Sequence, residues 1–424
     1  MCRINPNMDD ASVMTMAGNV DLGAAKAARN DEFYTQWNDI EIEMQAYLEY
    51  DPDVFRDKTV LLPCDDPGAS NFTKYFALNF EKFGLKKLIS TSYAPASNPA
   101  VTEKGQTLLN FELGEDQDEK FNEDDTWYRG RIYVMEQGVD LNDDGKLNKE
   151  DLKWDYLAGD GDFRSEEVTK LRDEADIVVT NPPFSLFREF LAWLLEGDVE
   201  FAVIGNMNAV TYKEVFPLIR DNRLWLGATR DGGGAMWFRI PEDAPVKNSG
   251  QRTDPDGTRW QTIGSSAWFT NIEHGRRHEP LVLMTMEDNL IYGLKAVKDA
   301  GYPRYDNYDA IEVPKVLGIP SDYEGIMGVP ITFLGKYTPE QFEILGITKT
   351  WDDPTGLKKK TYPTQTQVGR DGKTSSVGKL NDGAAIPHAT PPEDTTYYEV
   401  DGQFFTQPYA RVLIRHRRPE AKES

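Results

Sequence analysis

The sequence predicts an α/β protein built on an open, mainly parallel sheet with helices on both faces. Two observations carry that prediction. Apolar runs at 59–62, 87–92, 176–180, 200–204 and 223–226 alternate with stretches of helical periodicity, the pattern of successive strand–helix units. Each run is short and bounded by turn formers, which suits strands covered on both faces better than core helices.

The elements follow in order. The first thirty residues are polar and rich in small side chains, and read as a loose tail. From Asp31 to Tyr50, the residues Trp37, Ile40, Met44, Tyr47 and Leu48 recur at helical spacing. The run Thr59–Leu62 is broken by Cys64-Asp65-Asp66-Pro67-Gly68. Ser70 then suits a helix cap, and Phe72, Phe76, Phe80 and Phe83 fall on one helical face before Gly84 stops it. That aromatic stripe reads as core packing. Lys87–Ser92 is the next strand.

Residues 94–160 form a long excursion rich in acids and turn formers. Order returns with a helix over Glu166–Glu174, the strand Asp176–Thr180 and the loop Asn181-Pro182-Pro183. A helix over Leu186–Glu196, the strand Glu200–Ile204, a helix over Tyr212–Arg220 and the strand Arg223–Leu226 complete the alternation. Beyond about Ile240 it fades into mixed sequence. Residues 352–395, rich in Gly, Thr, Pro, Ser and Gln, read as an exposed insertion, and Phe404–Arg418 as a closing strand with a basic end. The expected organisation is therefore a tail over 1–30, a sheet domain over 31–240 with its acidic insertion, and a second region over 241–424.

Composition bounds the function. At 424 residues there is ample material for an apolar core. No apolar run has the length of a signal core or a membrane span. Cys2 and Cys64 are the only cysteines, too few for a disulfide framework or a thiolate metal site. A soluble, reducing, cytoplasmic setting is expected, with no membrane partner. The net charge of −24 speaks against a uniformly basic nucleic-acid binder. It is uneven, however: residues 111–176 hold 22 acids against 9 bases, more than half of the excess. Basic residues gather elsewhere, at Arg276 and Arg277 and at Arg411, Arg415, Arg417 and Arg418. An acidic insertion can face away from DNA while another surface meets it.

The chemistry is carried by Asn181-Pro182-Pro183-Phe184, at the carboxyl end of the strand 176–180. In open parallel sheets ligands bind outside such ends. The exocyclic amine of adenine is a poor nucleophile because its lone pair is delocalised into the ring. The carboxamide oxygen of Asn181 and the backbone carbonyl of Pro182 can accept that amine's hydrogens and help the lone pair localise. Two prolines hold these acceptors in place beforehand, and Phe184 offers a flat face for a base swung out of a duplex. The bland alternative is a Pro-rich turn with Phe184 in the core.

Several segments, taken in order, resemble the EcoRI-type adenine-specific DNA methyltransferase family. They are Asp31-Glu-Phe-Tyr-Thr35, Cys64-Asp-Asp-Pro67, Gly159-Asp-Gly-Asp-Phe-Arg-Ser165, Asn181-Pro-Pro-Phe184, Thr211-Tyr-Lys-Glu-Val-Phe216, Tyr305-Asp-Asn-Tyr-Asp-Ala310 and Gly328-Val-Pro-Ile-Thr-Phe333. The resemblance runs from residue 31 to about 345, with a weaker match at the C-terminal strand. It implies a Rossmann-like methyltransferase fold, S-adenosylmethionine as methyl donor and duplex DNA as substrate. A monomer is expected, and the biological role stays open between a restriction–modification counterpart of a cognate nuclease and a phage-associated enzyme. The resemblance also implies roles. Asn181, Pro182, Pro183 and Phe184 would hold and activate the adenine. Phe33, Tyr34 and Thr35 would line the methionine end of the donor pocket. Asp65, Asp66 and Pro67 would lie beside the donor, and Asp162 with Phe163 at its adenine ring. The chain departs from the wider methyltransferase pattern twice: the first loop lacks paired glycines, and Lys87–Ser92 does not end in an acid. Asn-Pro-Pro-Phe alone also suits RNA bases and protein glutamine, whose amines are similarly planar. A non-catalytic calcium- or DNA-binding relic of the fold is the reading from another class, and the intact motif speaks against it.

Other segments carry weaker signals. Asp140, Asn142, Asp144 and Asp151 fall at positions one, three, five and twelve of a calcium loop, with Gly145 at six. The alternatives are a structural calcium site and a solvated acidic turn. Cys64 reads as a wall residue rather than a nucleophile. His274 and His278 read as a plain surface loop, Gly232–Gly234 as a flexible one, and Arg276 with Arg277 as candidates for phosphate or guanine contacts.

Overall fold

The computed structural model describes residues 35–65, 70–94, 120–141, 143, 145–147, 151–229, 236–239, 250–262, 266–353, 356–376 and 378–418. Its centre is an eight-stranded mixed sheet. The strands are β1 (Thr59–Leu62), β2 (Lys87–Thr91), β3 (Arg131–Glu136), β4 (Lys153–Tyr156), β5 (Ile177–Thr180), β6 (Glu200–Asn206), β7 (Trp225–Leu226) and, after three short strands described below, β11 (Ser266–Thr270). They lie in the order β4-β3-β2-β1-β5-β6-β11-β7. The four central strands β2, β1, β5 and β6 are mutually parallel, as the sequence pattern predicts. The flanking strands β3, β4, β11 and β7 are antiparallel to their neighbours.

Alternate residues of these strands go to opposite faces, and each face has its own helical cover. Val60, Leu62, Ile177, Val179 and Ile204 pack with Phe72, Phe76, Phe80 and Phe83. Those phenylalanines come from α2 (Asn71–Leu78) and α3 (Phe80–Phe83), and α1 (Trp37–Tyr50) adds Ile40, Met44 and Tyr47. The aromatic stripe is thus core, each ring stabilising the layer by about 2 kcal/mol. The Ser70 hydroxyl accepts from the Phe72 amide and caps α2, while Gly84 closes α3 with a φ of 65°. On the opposite face, Leu61, Val178, Phe201 and Val203 pack against Val168, Phe190 and Leu194. Beyond α4 (Glu123–Tyr128), these belong to α5 (Glu166–Glu174) and α6 (Phe187–Glu196).

The described part of the excursion over 94–160 holds more regular structure than its acidity suggests. It supplies β3 and β4, a two-strand extension of the sheet. Tyr133 and Met135 are buried, while the alternating exposed positions of β4, Lys153 and Asp155, present charges along the edge. Beyond residue 240, β11 returns to the main sheet. Between β7 and β11 lies a separate three-stranded sheet of β8 (Trp237–Arg239), β9 (Gln251–Thr253) and β10 (Arg259–Thr262).

The C-terminal part forms two further sheets. Strands β12 (Ile311–Glu312), β13 (Met327–Pro330), β14 (Phe342–Ile347) and β20 (Arg411–His416) share the core of the main sheet through Ile311, Val329, Val412 and Ile414. Strands β15 (Thr366–Val368), β16 (Thr374–Ser375), β17 (Ile386–His388), β18 (Tyr397–Val400) and β19 (Gln403–Thr406) make a five-stranded sheet around Tyr362, Leu380, Tyr398 and Phe405. The closing strand expected over 404–418 is therefore two strands in two sheets. Among the described residues no helix is long and apolar enough to cross a membrane.

Two surface readings are corrected. His274 is buried and bonds the Leu226 carbonyl. Arg277 is buried too, lying 4.1 Å over the Trp225 ring and donating to Glu273 and Asn222, so its charge serves packing rather than DNA. Arg276 is exposed and anchors the Ala228 carbonyl at 2.6 Å. Glycines 232–234 lie outside the described residues.

Candidate active site at the carboxyl ends of the central strands

From β1 the chain passes through α2 and α3 to β2 on one side, and later enters β5 on the other side of β1. Loops leaving β1 and β5 therefore part in opposite directions, making the switch point at which open α/β sheets place their binding crevice. Cys64 and Asp65 leave β1 there, and Asn181-Pro182-Pro183-Phe184 leaves β5.

Asp65 joins them. Its carboxylate is buried, accepting from Thr180 Oγ1 at 2.6 Å and from Ser70 Oγ at 2.7 Å. Its carbonyl accepts from Ser90 Oγ at 2.6 Å, and its amide donates to Thr91 at the end of β2. The ends of β1, β2 and β5 and the start of α2 thus share one residue. Cys64 beside it is partly buried. Burial, and then the neighbouring Asp65 charge, push its thiol well above the ordinary range; a protonated wall residue, not a nucleophile, is what this environment makes.

Asn181 is half-buried at the crevice, with its Nδ2 donating to Thr35 Oγ1 at 3.3 Å. Thr35 is buried, and its carbonyl accepts from Asn71 Nδ2 of α2 at 2.8 Å. Pro182 is buried. Pro183 accepts from the Leu186 amide, which starts the short turn Phe184–Leu186 before α6. Phe184 is half-buried, with the ring of Phe238 edge-on at 6.4 Å.

A third loop closes the crevice from the β2 side. Gly161 has a φ of 82°, and a Cβ there would lie 2.2 Å from the Ser92 carbonyl oxygen, so only glycine permits the loop to lie on the end of β2. The Ala94 amide donates to Asp160 across the same junction. Asp162 Oδ1 accepts from the Arg164 amide and Nε, and Oδ2 from Arg164 Nη2 at 2.6 Å. Partial burial raises the Asp162 pKa, but these bonds and the Arg164 charge outweigh it and hold the carboxyl below its usual range. Arg164 also reaches Glu189 on α6 at 3.0 Å, linking this loop to the helix that follows Phe184. The Phe163 ring is buried between Phe190 and Trp193, so of Phe163 only the backbone is left for the crevice.

A family model, described as adenine-specific methyltransferase EcoRI, matches residues 21–417. The chain belongs to the EcoRI family of adenine-specific methyltransferases. It is 42% identical over 332 residues to the type II methyltransferase M.EcoRI of Escherichia coli, covering 78% of this chain and 90% of that protein. It is 34% identical over 323 residues to the type II methyltransferase M.MpnI of Mycoplasma pneumoniae, covering 76% of this chain and 83% of the relative. The same identity and length relate it to M.MgeORF184P of Mycoplasma genitalium. No solved structure matches the chain.

Within this family member, the structure brings Thr35, Asp65, Asp162 and Asn181–Phe184 to one end of the sheet. Phe33, Tyr34, Asp66 and Pro67 lie outside the described residues. Thr180, Ser70 and Arg164, which hold the expected residues in place, were missed; the Thr180–Asp65 bond is a tertiary contact, whereas Ser70 meets Asp65 and Arg164 meets Asp162 within the same loop. Also missed was Glu43, a buried carboxylate that accepts from Tyr47 Oη and from the Ala228 and Thr229 amides, tying α1 to the loop after β7.

The calcium reading gains no support. Among the described residues no three His, Cys, Asp or Glu side chains converge as a metal site. Asp140 Oδ2 accepts from the Gly145 amide, and Asp151 Oδ1, in a buried side chain, accepts from the Leu141 amide. Each of these oxygens keeps a second lone pair, and Asp140 Oδ1 is buried with no hydrogen-bond partner among the described residues. Asn142 and Asp144 lie outside the described residues.

Proposed function

We propose that this methyltransferase modifies the N6 amine of adenine in duplex DNA with S-adenosylmethionine as donor, as the modification enzyme of a cytoplasmic restriction–modification pair. The observation that carries the reading is the position of Asn181 at the switch point, tethered through Nδ2 to Thr35. That tether turns the carboxamide oxygen away from Thr35, to serve with the Pro182 carbonyl as acceptor for a substrate amine.

The residues present fit the donor. Asp162 is kept ionised for hydroxyl or amine partners, Gly161 keeps the loop tight on β2, and Thr35 and Asp65 border the crevice between. S-adenosylmethionine supplies a methyl group made electrophilic by its sulfonium. The chain does the rest. Asn181 and Pro182 accept hydrogen bonds from the amine's N–H groups and so favour localisation of its lone pair as it attacks the methyl, Phe184 stacks on the flipped ring, and the proton is lost afterwards. No side chain forms a covalent intermediate. In this reading a Rossmann-like catalytic part takes residues 31–240 together with β11, the later sheets carry target recognition, and the enzyme acts as a monomer beside a cognate nuclease.

The test is a labelled-methyl assay on unmethylated duplex DNA, RNA and protein, with adenine positions mapped in the product. Transfer to DNA adenine is expected, and Asn181→Ala should lower turnover by about 10²-fold or more while S-adenosylmethionine still binds. Transfer to RNA or protein alone, or full turnover in the variant, would refute it.

A further inference from the structure

The small sheet of β8, β9 and β10 sits beside the catalytic motif and has two unlike faces. Its register places Trp260 opposite both Arg239 and Arg252, and Thr262 opposite Trp237. Directly opposed residues share a face, as do alternate residues along a strand. Trp237, Arg239, Arg252, Trp260 and Thr262 therefore lie together on one face. Phe238, Gln261 and Gln251 lie on the other.

The second face is the anchor. Phe238 is fully buried and meets Phe184 edge-on, and Gln261 is buried beside it. Gln36, next to the residue that tethers Asn181, donates to the Trp237 carbonyl at 2.7 Å. The first face points outward. Arg252 is exposed and lies 5.1 Å over each of the Trp237 and Trp260 rings. Trp260 Nε1 donates to Asp254, whose other oxygen is 3.7 Å from Arg252. Arg239 is exposed on the far side of Trp260.

We propose that this Trp–Arg face is a DNA-contacting surface, gripping the sugar–phosphate backbone beside the flipped adenine. The inference rests on the DNA-methyltransferase reading and adds the residues that hold the duplex. Packing alone explains the Arg252 sandwich, but not a second exposed guanidinium on the same face in a chain carrying a net charge of −24. Cations are needed where phosphates lie, and this sheet is bolted to the residue on which the base would stack. Indole stacking holds Arg252 extended in advance, so less side-chain entropy is lost when it meets a phosphate.

The test uses the full chain and unmethylated plasmid duplex DNA. An Arg239→Ala, Arg252→Ala double variant should bind S-adenosylmethionine within twofold of wild type. Its affinity for the plasmid should fall about tenfold or more at 0.1 M salt, and the slope of log affinity against log salt should shrink by about 2. Should the pair disturb folding, read by lost donor binding, Arg239→Gln alone at its exposed position should still shrink the slope by about 1. Unchanged DNA affinity and slope in a variant that binds donor would overturn the proposal. Failure of wild type to methylate the plasmid at all would instead overturn the reading beneath it.

Discussion

Thr180 donates its hydroxyl to Asp65 across 2.6 Å, joining the carboxyl ends of two parallel strands where the chain's winding direction changes. The residue after Thr180 is Asn181, and the residue before Asp65 is the crevice wall Cys64. One buried hydrogen bond therefore sets the spacing between the expected base-holding loop and the expected donor loop. Because both groups are buried, removing the Thr180 hydroxyl deprives Asp65 Oδ2 of a donor while Ser70 still bonds Oδ1, and a buried polar group that loses a bond costs more than the bond itself contributes.

Thr180→Val keeps the shape and removes only the hydroxyl. We expect a stability loss of about 1–3 kcal/mol in urea unfolding, and a fall in kcat larger than any rise in KM for DNA, since Asn181 loses its fixed base. Asp65→Asn should cost a similar amount, and the double variant less than the sum of the two. Strict additivity in that cycle would show that the two side chains do not act together.

Gly161→Ala addresses the opposite wall. The added methyl would meet a backbone oxygen, Ser92 O, at a separation no relaxed contact allows, and at a φ that disfavours alanine. The loop must lift from β2, and Asp162 with it. Donor affinity measured by calorimetry should drop at least about tenfold, an effect of about 1.4 kcal/mol, with DNA binding changed little. Wild-type donor affinity would mean that Asp162 and its loop stand apart from the donor.

Legibility from sequence followed the physics of each segment. The central strands were readable because strands covered on both faces are uniformly apolar, and the Phe72–Phe83 stripe because a helix buries every third or fourth residue. Strands β3 and β4 were hidden, since they extend the sheet at its edge and keep Lys153 and Asp155 among the charges of the insertion. The placement of Asn181–Phe184 at the end of a central strand was legible from the apolar run that precedes it. Thr180 was not, since its partner lies 115 residues away; Ser70 and Arg164 meet Asp65 and Asp162 only five and two residues away, but nothing in a hydroxyl or guanidinium announces which carboxylate it will meet. His274 and Arg277 misled because hydrophilic residues around a glycine read as surface, whereas here a tryptophan ring and a backbone carbonyl receive them.

Arg411 and Glu312 form a buried ion pair at 2.7 Å between β20 and β12, with the Tyr305 hydroxyl bonded to the same carboxylate. Burial disfavours the guanidinium's charge, but its bonds to the Glu312 carboxylate prevail and raise its pKa further. Removing one partner strands the other in the interior, so Glu312→Gln should destabilise the protein by about 3–5 kcal/mol. Glu312→Leu with Arg411→Met should lose much less. Thermal unfolding with the single and double variants decides it, and equal losses in both would refute the pairing argument.

His278 provides the pH dependence. Its ring stacks on Tyr50 at 5.5 Å and bonds Glu273 at 3.0 Å and Glu340 at 2.9 Å. Partial burial lowers its pKa, but the two carboxylates outweigh that and raise it above 6.5. A histidine with a raised folded-state pKa stabilises the native state fully below its unfolded value, and that contribution fades as pH rises through the folded value. The stability difference between wild type and His278→Gln should therefore be largest below pH 6.5 and shrink through the neutral range. Partial exposure and salt screening keep it small, so urea titrations at low ionic strength are the suitable measurement. A difference that stays constant from pH 5.5 to about pH 8.5, well past the ordinary histidine range, would show that folding leaves the imidazole's proton affinity unchanged and that it contributes by stacking on Tyr50 alone.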